Sequence, residues 1–204
     1  MEGTEEGGFF GFMSRIGDIV FLNLFFLLTC VPVVTAGAAL ISLYSVTLKM
    51  AKNEEGYVIK SYFKAFRENL RQGMIVGILA EIVLAVLGYD AWVLLASQES
   101  YAPAGFFVTV AALIAVLSVM QYLFPLMARY DNPIRKSLCN AGLLAISKLP
   151  YTFVLLVLAA VPAVLVLITP YAYIYVIFAG VSLCAFLQSK LLVNIFSKIE
   201  NGGK

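Results

Sequence analysis

The chain has 204 residues and a formal net charge of +2, with 62% apolar and only 13% charged residues. Globular domains run at roughly 45–50% and about 25%, so this composition, with a mean hydropathy of +0.94, excludes a soluble fold, which would lack the polar residues to cover its core. The small net charge argues against a nucleic-acid partner, and the absence of histidine removes the commonest metal ligand and neutral-pH acid–base group. The composition reads as an integral membrane protein with no cofactor.

The opening, MEGTEEGGFF, is acidic and glycine-rich. It lacks the basic region of a cleaved signal peptide, and Glu2 stands where myristoylation needs glycine. The first apolar helix is therefore expected to serve as its own insertion signal. A helix needs about 20 apolar residues to cross a bilayer, and the first apolar region, 14–49, is too long for one straight span. Pro32 interrupts it, and Thr35 offers an N-cap for a new helix. The segment 14–52 thus reads as a helical hairpin, with arms 14–30 and 35–52 of roughly 26 Å each. The alternative is one kinked span, giving five crossings instead of six.

From 58 to 71, Ile59, Tyr62, Phe63, Phe66 and Leu70 recur at helical spacing. This predicts an amphipathic helix that lies along the inner leaflet and feeds directly into the next span. Its basic residues Lys60, Lys64, Arg67 and Arg71 are candidate contacts for anionic lipid, at about 1 kcal/mol each. Four plain spans follow, at 72–97, 105–128, 151–169 and 171–194. A second amphipathic stretch, 134–149, ends at Pro150. Basic entry helix then span thus occurs twice, a hint of two related halves. Gly73 and Gly77 form a GxxxG pair suited to close helix packing, inside the chain or in a dimer. Pro125 and Pro162 read as bends. Cys30, Cys139 and Cys184 have no CxxC spacing and read as small buried hydrophobes.

With six crossings, all fourteen Lys and Arg residues fall on one side, which positive-inside logic makes cytoplasmic along with both termini. The opposite end carries Tyr89, Trp92, Tyr101, Tyr171, Tyr173 and Tyr175, a composition suited to the interfacial belt. The fold class is an all-α polytopic bundle of one domain.

Ionisable or amide groups inside a span are functional candidates by default. Here they are Asp18, Asn23, Glu81, Asp90, Gln121, Gln188 and Lys190. Counted along their helices, Asn23 and Glu81 lie about 13 Å from the cytoplasmic ends and Gln121 about 11 Å. Asp18, Gln188 and Lys190 lie about 6–9 Å in. Asp18, Asn23, Glu81, Gln121, Gln188 and Lys190 therefore converge on one depth if their helices face inward. Glu81 should be protonated or paired, with Lys190 the nearest cation by depth. One reading is a cytoplasm-facing cavity or proton relay around Glu81. The other is a set of hydrogen bonds that hold helices together at about 0.6 kcal/mol each. No phosphate loop, metal-ligand spacing or nucleophile elbow is present.

Several runs resemble one known family. Arg15-Ile16-Gly17-Asp18, Asn23-Leu24, Pro32-Val33-Val34-Thr35-Ala36-Gly37-Ala38, Leu43-Tyr44 and Leu48-Lys49 look like the opening of the YesL-like family of bacterial membrane proteins. Glu55-Gly56-Tyr57, Phe63, Phe66 and Asn69-Leu70 continue the likeness, which is sharpest over 9–75. The resemblance implies a small polytopic protein of unknown biochemical activity, encoded near carbohydrate ABC transporters, sensor kinases and polysaccharide-degrading enzymes. It brings no catalytic or binding residues. The expected function is a non-enzymatic membrane protein accessory to a carbohydrate ABC uptake or sensing system. Its partners would be membrane lipids and the membrane subunits of a transporter or sensor kinase. The alternative is a small secondary transporter or channel around Glu81. The sequence leaves the oligomeric state open.

Overall fold

The structure, a computed structural model, describes residues 6–202 except 55, 98, 100 and 170, and side chains from Met13 onward except 199, 201 and 202. The first five residues of the acidic opening, Pro170 and Lys204 lie outside these residues. Among the described residues every regular element is helical: α1 (Glu6–Cys30), a 3₁₀ turn (Val33–Thr35), α2 (Ala36–Ala51), α3 (Val58–Ala96), α4 (Ala102–Arg129), α5 (Ile134–Ser147), α6 (Leu149–Ile168), α7 (Ala172–Tyr175), a π-turn (Val176–Gly180) and α8 (Val181–Gly202). Six of these stretches are long and apolar enough to cross a membrane. The 14–52 region supplies two of them, so the hairpin is present, with its first arm beginning earlier than 14.

Pro32 breaks the hairpin because it cannot donate the next helical hydrogen bond. Thr35 occupies the N-cap position of α2, but its hydroxyl donates backward to the carbonyls of Thr29 and Pro32 instead of capping forward. At the other end of the hairpin, Arg15 donates to Asn53 at 3.0 Å. The structure places α2 at the centre, where Ile41, Leu43, Val46 and Met50 are almost fully buried, and packs α8 against it. The outer half of α3 faces away from the chain, with Leu79, Val86, Trp92 and Leu95 exposed.

Three points refine these expectations. First, the 58–71 segment feeds directly into the next span as expected, and the two form one helix, α3, of 39 residues. That helix is about 58 Å long, against a hydrocarbon core of about 30 Å. The apolar face of its first turns packs on α1. Tyr62 shares a 2.6 Å hydrogen bond with Thr29, and Phe63 meets Phe25 edge to face at 5.2 Å between centroids. The reason is that α1 offers a protein surface to bury the aromatic face, and the hairpin arm beside it rises only about 21 Å between Arg15 and Thr29. Second, Pro150 does not end the 134–149 stretch. α5 stops at Ser147, and Pro150 sits in the first turn of α6, where its missing N–H leaves no helical bond unmade. Third, Cys139 is exposed, whereas Cys184 is buried and Cys30 half-buried; all three are free thiols.

Gly73 and Gly77 pack inside the chain. A Cβ on Gly77 would stand 2.9 Å from the Cα and N of Gly37, and one on Gly73 would stand 2.5 Å from Ala38 Cα. The small residues thus let the backbones of α2 and α3 touch.

Candidate functional site

The structure brings Gln121 and Gln188 to one cavity, ties Asn23 to the start of α8, and does not pair Glu81 with Lys190. Asn23 is fully buried on α1. Its side-chain nitrogen donates to the carbonyls of Val176 at 2.9 Å and Ile177 at 2.7 Å, and its Oδ1 accepts the N–H of Ser182 at 2.9 Å. A π-turn shifts the helical bonding register and leaves backbone groups to be satisfied from outside. Asn23 supplies both a double donor and an acceptor at that break, and so clamps α1 to the start of α8.

Gln188 performs the same task deeper in α8. Its Oε1 accepts the Tyr44 hydroxyl, and its Nε2 donates to the Leu155 carbonyl at 2.9 Å. One side chain therefore ties α2, α6 and α8. The neighbouring Ser189 shares a 2.8 Å hydrogen bond with Thr47, and Tyr122 on α4 shares one of 3.0 Å with Thr152 on α6. Each is buried among apolar side chains, where an unmade hydrogen bond costs about 1–3 kcal/mol.

Gln121 is half-buried and reaches no described hydrogen-bond partner. With Tyr44 and Gln188 it lines a cavity of about 320 Å³ between α2, α4, α6 and α8, walled otherwise by apolar residues such as Leu40 and Pro162. Pro162 interrupts the hydrogen-bond ladder of α6 beside this space. A second cavity of about 390 Å³ between α3, α4 and α5 is lined by apolar residues alone.

Glu81 does not join Lys190. The Lys190 ammonium lies 4.8 Å from the centre of the Phe186 ring and is exposed. Matching depth failed as a guide because α3 and α8 are not packing neighbours. Glu81 is half-buried on α3 and makes no hydrogen bond or ion pair with any described residue, with Cys30 within electrostatic reach. Asp18 is half-buried on α1. Asp90, near the far end of α3, accepts the Thr109 hydroxyl at 2.6 Å and so pins α3 to α4. Lys60, Lys64, Arg67 and Arg71 are all exposed, with Lys64 at 4.0 Å from Glu68 one helical turn away.

A charged cluster that the sequence reading did not single out closes the other end of the bundle. Arg129 donates to Glu200 Oε2 at 2.9 Å, and the Tyr130 hydroxyl donates to Oε1 at 2.6 Å. The guanidinium also lies 5.5 Å and 5.3 Å from the ring centres of Tyr130 and Phe196. Burial, reinforced by the bond to Glu200, pushes the Tyr130 phenol up to about 12. That same hydrogen bond, helped by the Arg129 and Lys52 charges, holds the Glu200 carboxyl below its ordinary range. Nothing in local spacing links residues 129–130 to 200; the signal was only that both lie at the ends of apolar spans. Among the described residues no group of three or more His, Cys, Asp or Glu could hold a metal ion.

These features define an α-helical bundle with six helices long and apolar enough to cross a membrane, whose buried polar side chains fasten helix to helix. Residues 19–91 match a family described as a protein of unknown function, DUF624. The match covers α2 entirely, with the second half of α1 and most of α3. No curated protein and no solved structure matches the chain.

Proposed function

We propose that this chain is a non-catalytic membrane protein, both ends cytoplasmic, that works through a partner membrane subunit seated on the outer half of α3. The partner would belong to a carbohydrate ABC uptake or sensing system, a part of the reading that rests on the YesL-like resemblance. The observation that carries the proposal is Glu81. The amides of Asn23 and Gln188 are satisfied within the bundle, whereas Glu81 sits half-exposed among the exposed Leu79, Ile82 and Val83 without a partner of its own. A carboxyl at that place in hydrocarbon is costly and calls for a donor or cation, which a second chain can bring. Retrieval of the full chain from native membranes tests this. The parent should bring down a transporter or sensor subunit, Glu81→Leu should not, and both should melt alike.

A second reading, a small secondary transporter, draws on the 320 Å³ cavity and its free Gln121. It requires solute flux in liposomes that contain this chain alone, with the flux lost in Gln121→Leu.

A further inference from the structure

We infer that the charged end of the bundle holds a binding pocket for a phosphate group, formed by Lys49 and Lys52 of α2 and Arg129 of α4. These three cations line a cavity of about 160 Å³ together with Ser45, Leu48, Ala128 and a single carboxylate, Glu54. Glu200, which does not line the cavity, is already bound to Arg129 and Tyr130. It answers only part of the guanidinium, whose Nη1 is buried without a hydrogen-bond partner among the described residues.

Lysines in the last turn of a helix ordinarily have a duty there, because they neutralise and bond the free carbonyls. That duty is filled here by the backbone. The Glu54 N–H bonds the Lys49 carbonyl at 3.0 Å and the Asn53 N–H bonds the Met50 carbonyl at 3.1 Å, with Asn53 left-handed at φ 56°. This is a Schellman closure. Lys49 and Lys52 are thus exposed and make no ion pair or side-chain hydrogen bond with a described residue, Lys52 reaching Glu200 only through its charge, so their ammonium donors are open to a ligand. Arg129 gives the pocket a fixed wall, since its guanidinium is held by Glu200 and by two aromatic rings and its side chain is only 15% exposed.

Size and position select the ligand. Pockets that engulf drug-sized molecules measure roughly 300–1,000 Å³, so 160 Å³ admits a head group and not a whole metabolite. The pocket lies where α2 and α4 end, beside apolar Leu48 and Ala128. Basic recesses between membrane helices at that level suit anionic lipid head groups. The shared chemistry is a phosphate oxyanion, carried by a phospholipid or by free phosphate.

The test measures affinity of the full chain in neutral detergent for short-chain phosphatidylglycerol, short-chain phosphatidylcholine and inorganic phosphate. The variants are Lys49→Gln/Lys52→Gln, the charge-keeping Lys49→Arg/Lys52→Arg, and Lys60→Gln/Lys64→Gln on the separate basic face of α3. Loss of both lysines should weaken phosphatidylglycerol binding about 30-fold, equivalent to about 2 kcal/mol at about 1 kcal/mol per residue. The arginine pair should stay within a few-fold of the parent, and the Lys60/Lys64 variant should bind as the parent does. Inorganic phosphate bound as tightly as the lipid, and lost with the same pair, would identify free phosphate as the source. Equal weakening by the Lys60/Lys64 change, or no weakening by the Lys49/Lys52 change, would overturn the pocket. Failure of the arginine pair to bind although it melts like the parent would overturn it as well.

Discussion

Asn23 shows how one amide decides the shape of a distant helix. It gives two donors and one acceptor to the π-turn of residues 176–180 and to Ser182. Asn23→Asp keeps the size and the acceptor but removes the amide donors, leaving two part-buried carbonyls unmatched. The expected loss is about 1–3 kcal/mol, read as a lower melting temperature of the purified protein. Gln121→Leu, which breaks no described hydrogen bond, should melt with the parent. If Asn23→Asp also melts with the parent, the clamp has no structural weight. Glu200 and Tyr130 make a second prediction at this scale, with pH as the variable. The folded Glu200 carboxyl titrates below its ordinary 4.5, so its contribution is present above that value and is lost as pH falls through the lowered one. The folded Tyr130 phenol is raised from 10.0 to about 12, so its contribution is full below 10 and fades as pH rises toward 12. Melting temperature against pH should therefore lose part of its acid slope in Glu200→Gln, and part of its alkaline slope, because the Glu200 bond helps to raise Tyr130. Identical profiles for the two proteins would contradict the cluster.

At the scale of elements, the α2–α3 crossing rests on three glycines. Backbone, not a flexible side chain, faces the missing Cβ at Gly37, Gly73 and Gly77. Gly73→Ala should cost about 1–3 kcal/mol by overpacking. Gly88→Ala on the same helix, with nothing within 4 Å of its Cβ, should be neutral or stabilise by up to about 1 kcal/mol through helix propensity. Equal melting shifts for the two changes would mean that the close approach does not exist. The helices themselves were largely legible in the sequence, because a run of apolar residues long enough to span a bilayer has few other stable forms. Pro32 marked the hairpin turn, and Gly73/Gly77 marked a tight packing face. What one sequence could not supply was azimuth. Counting residues placed Glu81 and Lys190 at equal depth, but depth along two helices says nothing of whether they are neighbours, and α3 and α8 are not. The apolar face of residues 59–70 divides between two surfaces that reward the same pattern: Tyr62 is buried against α1, while Ile59 and Phe63 stay exposed. The π-turn left no trace in composition, and its polar partner, Asn23, lies more than 150 residues away.

For the whole molecule, the charged end draws together the start of α1 and the ends of α2, α4 and α8, through Arg15 with Asn53, Lys49 with Arg129 around one pocket, and Arg129 with Glu200. The opposite end presents Tyr89, Trp92, Tyr101, Tyr171 and Tyr173 as exposed rings, while Tyr175 is half-buried. Between the ends, polar side chains join helix to helix and leave Glu81 on an uncovered face. The most direct measurement is photo-crosslinking in native membranes from a reactive residue at Val86, 61% exposed on the same helix. A partner seated on α3 predicts one discrete adduct, identified by mass spectrometry as a transporter or sensor membrane subunit and lost in Glu81→Leu. Adducts to lipid alone, or a protein adduct unchanged in Glu81→Leu, would contradict it.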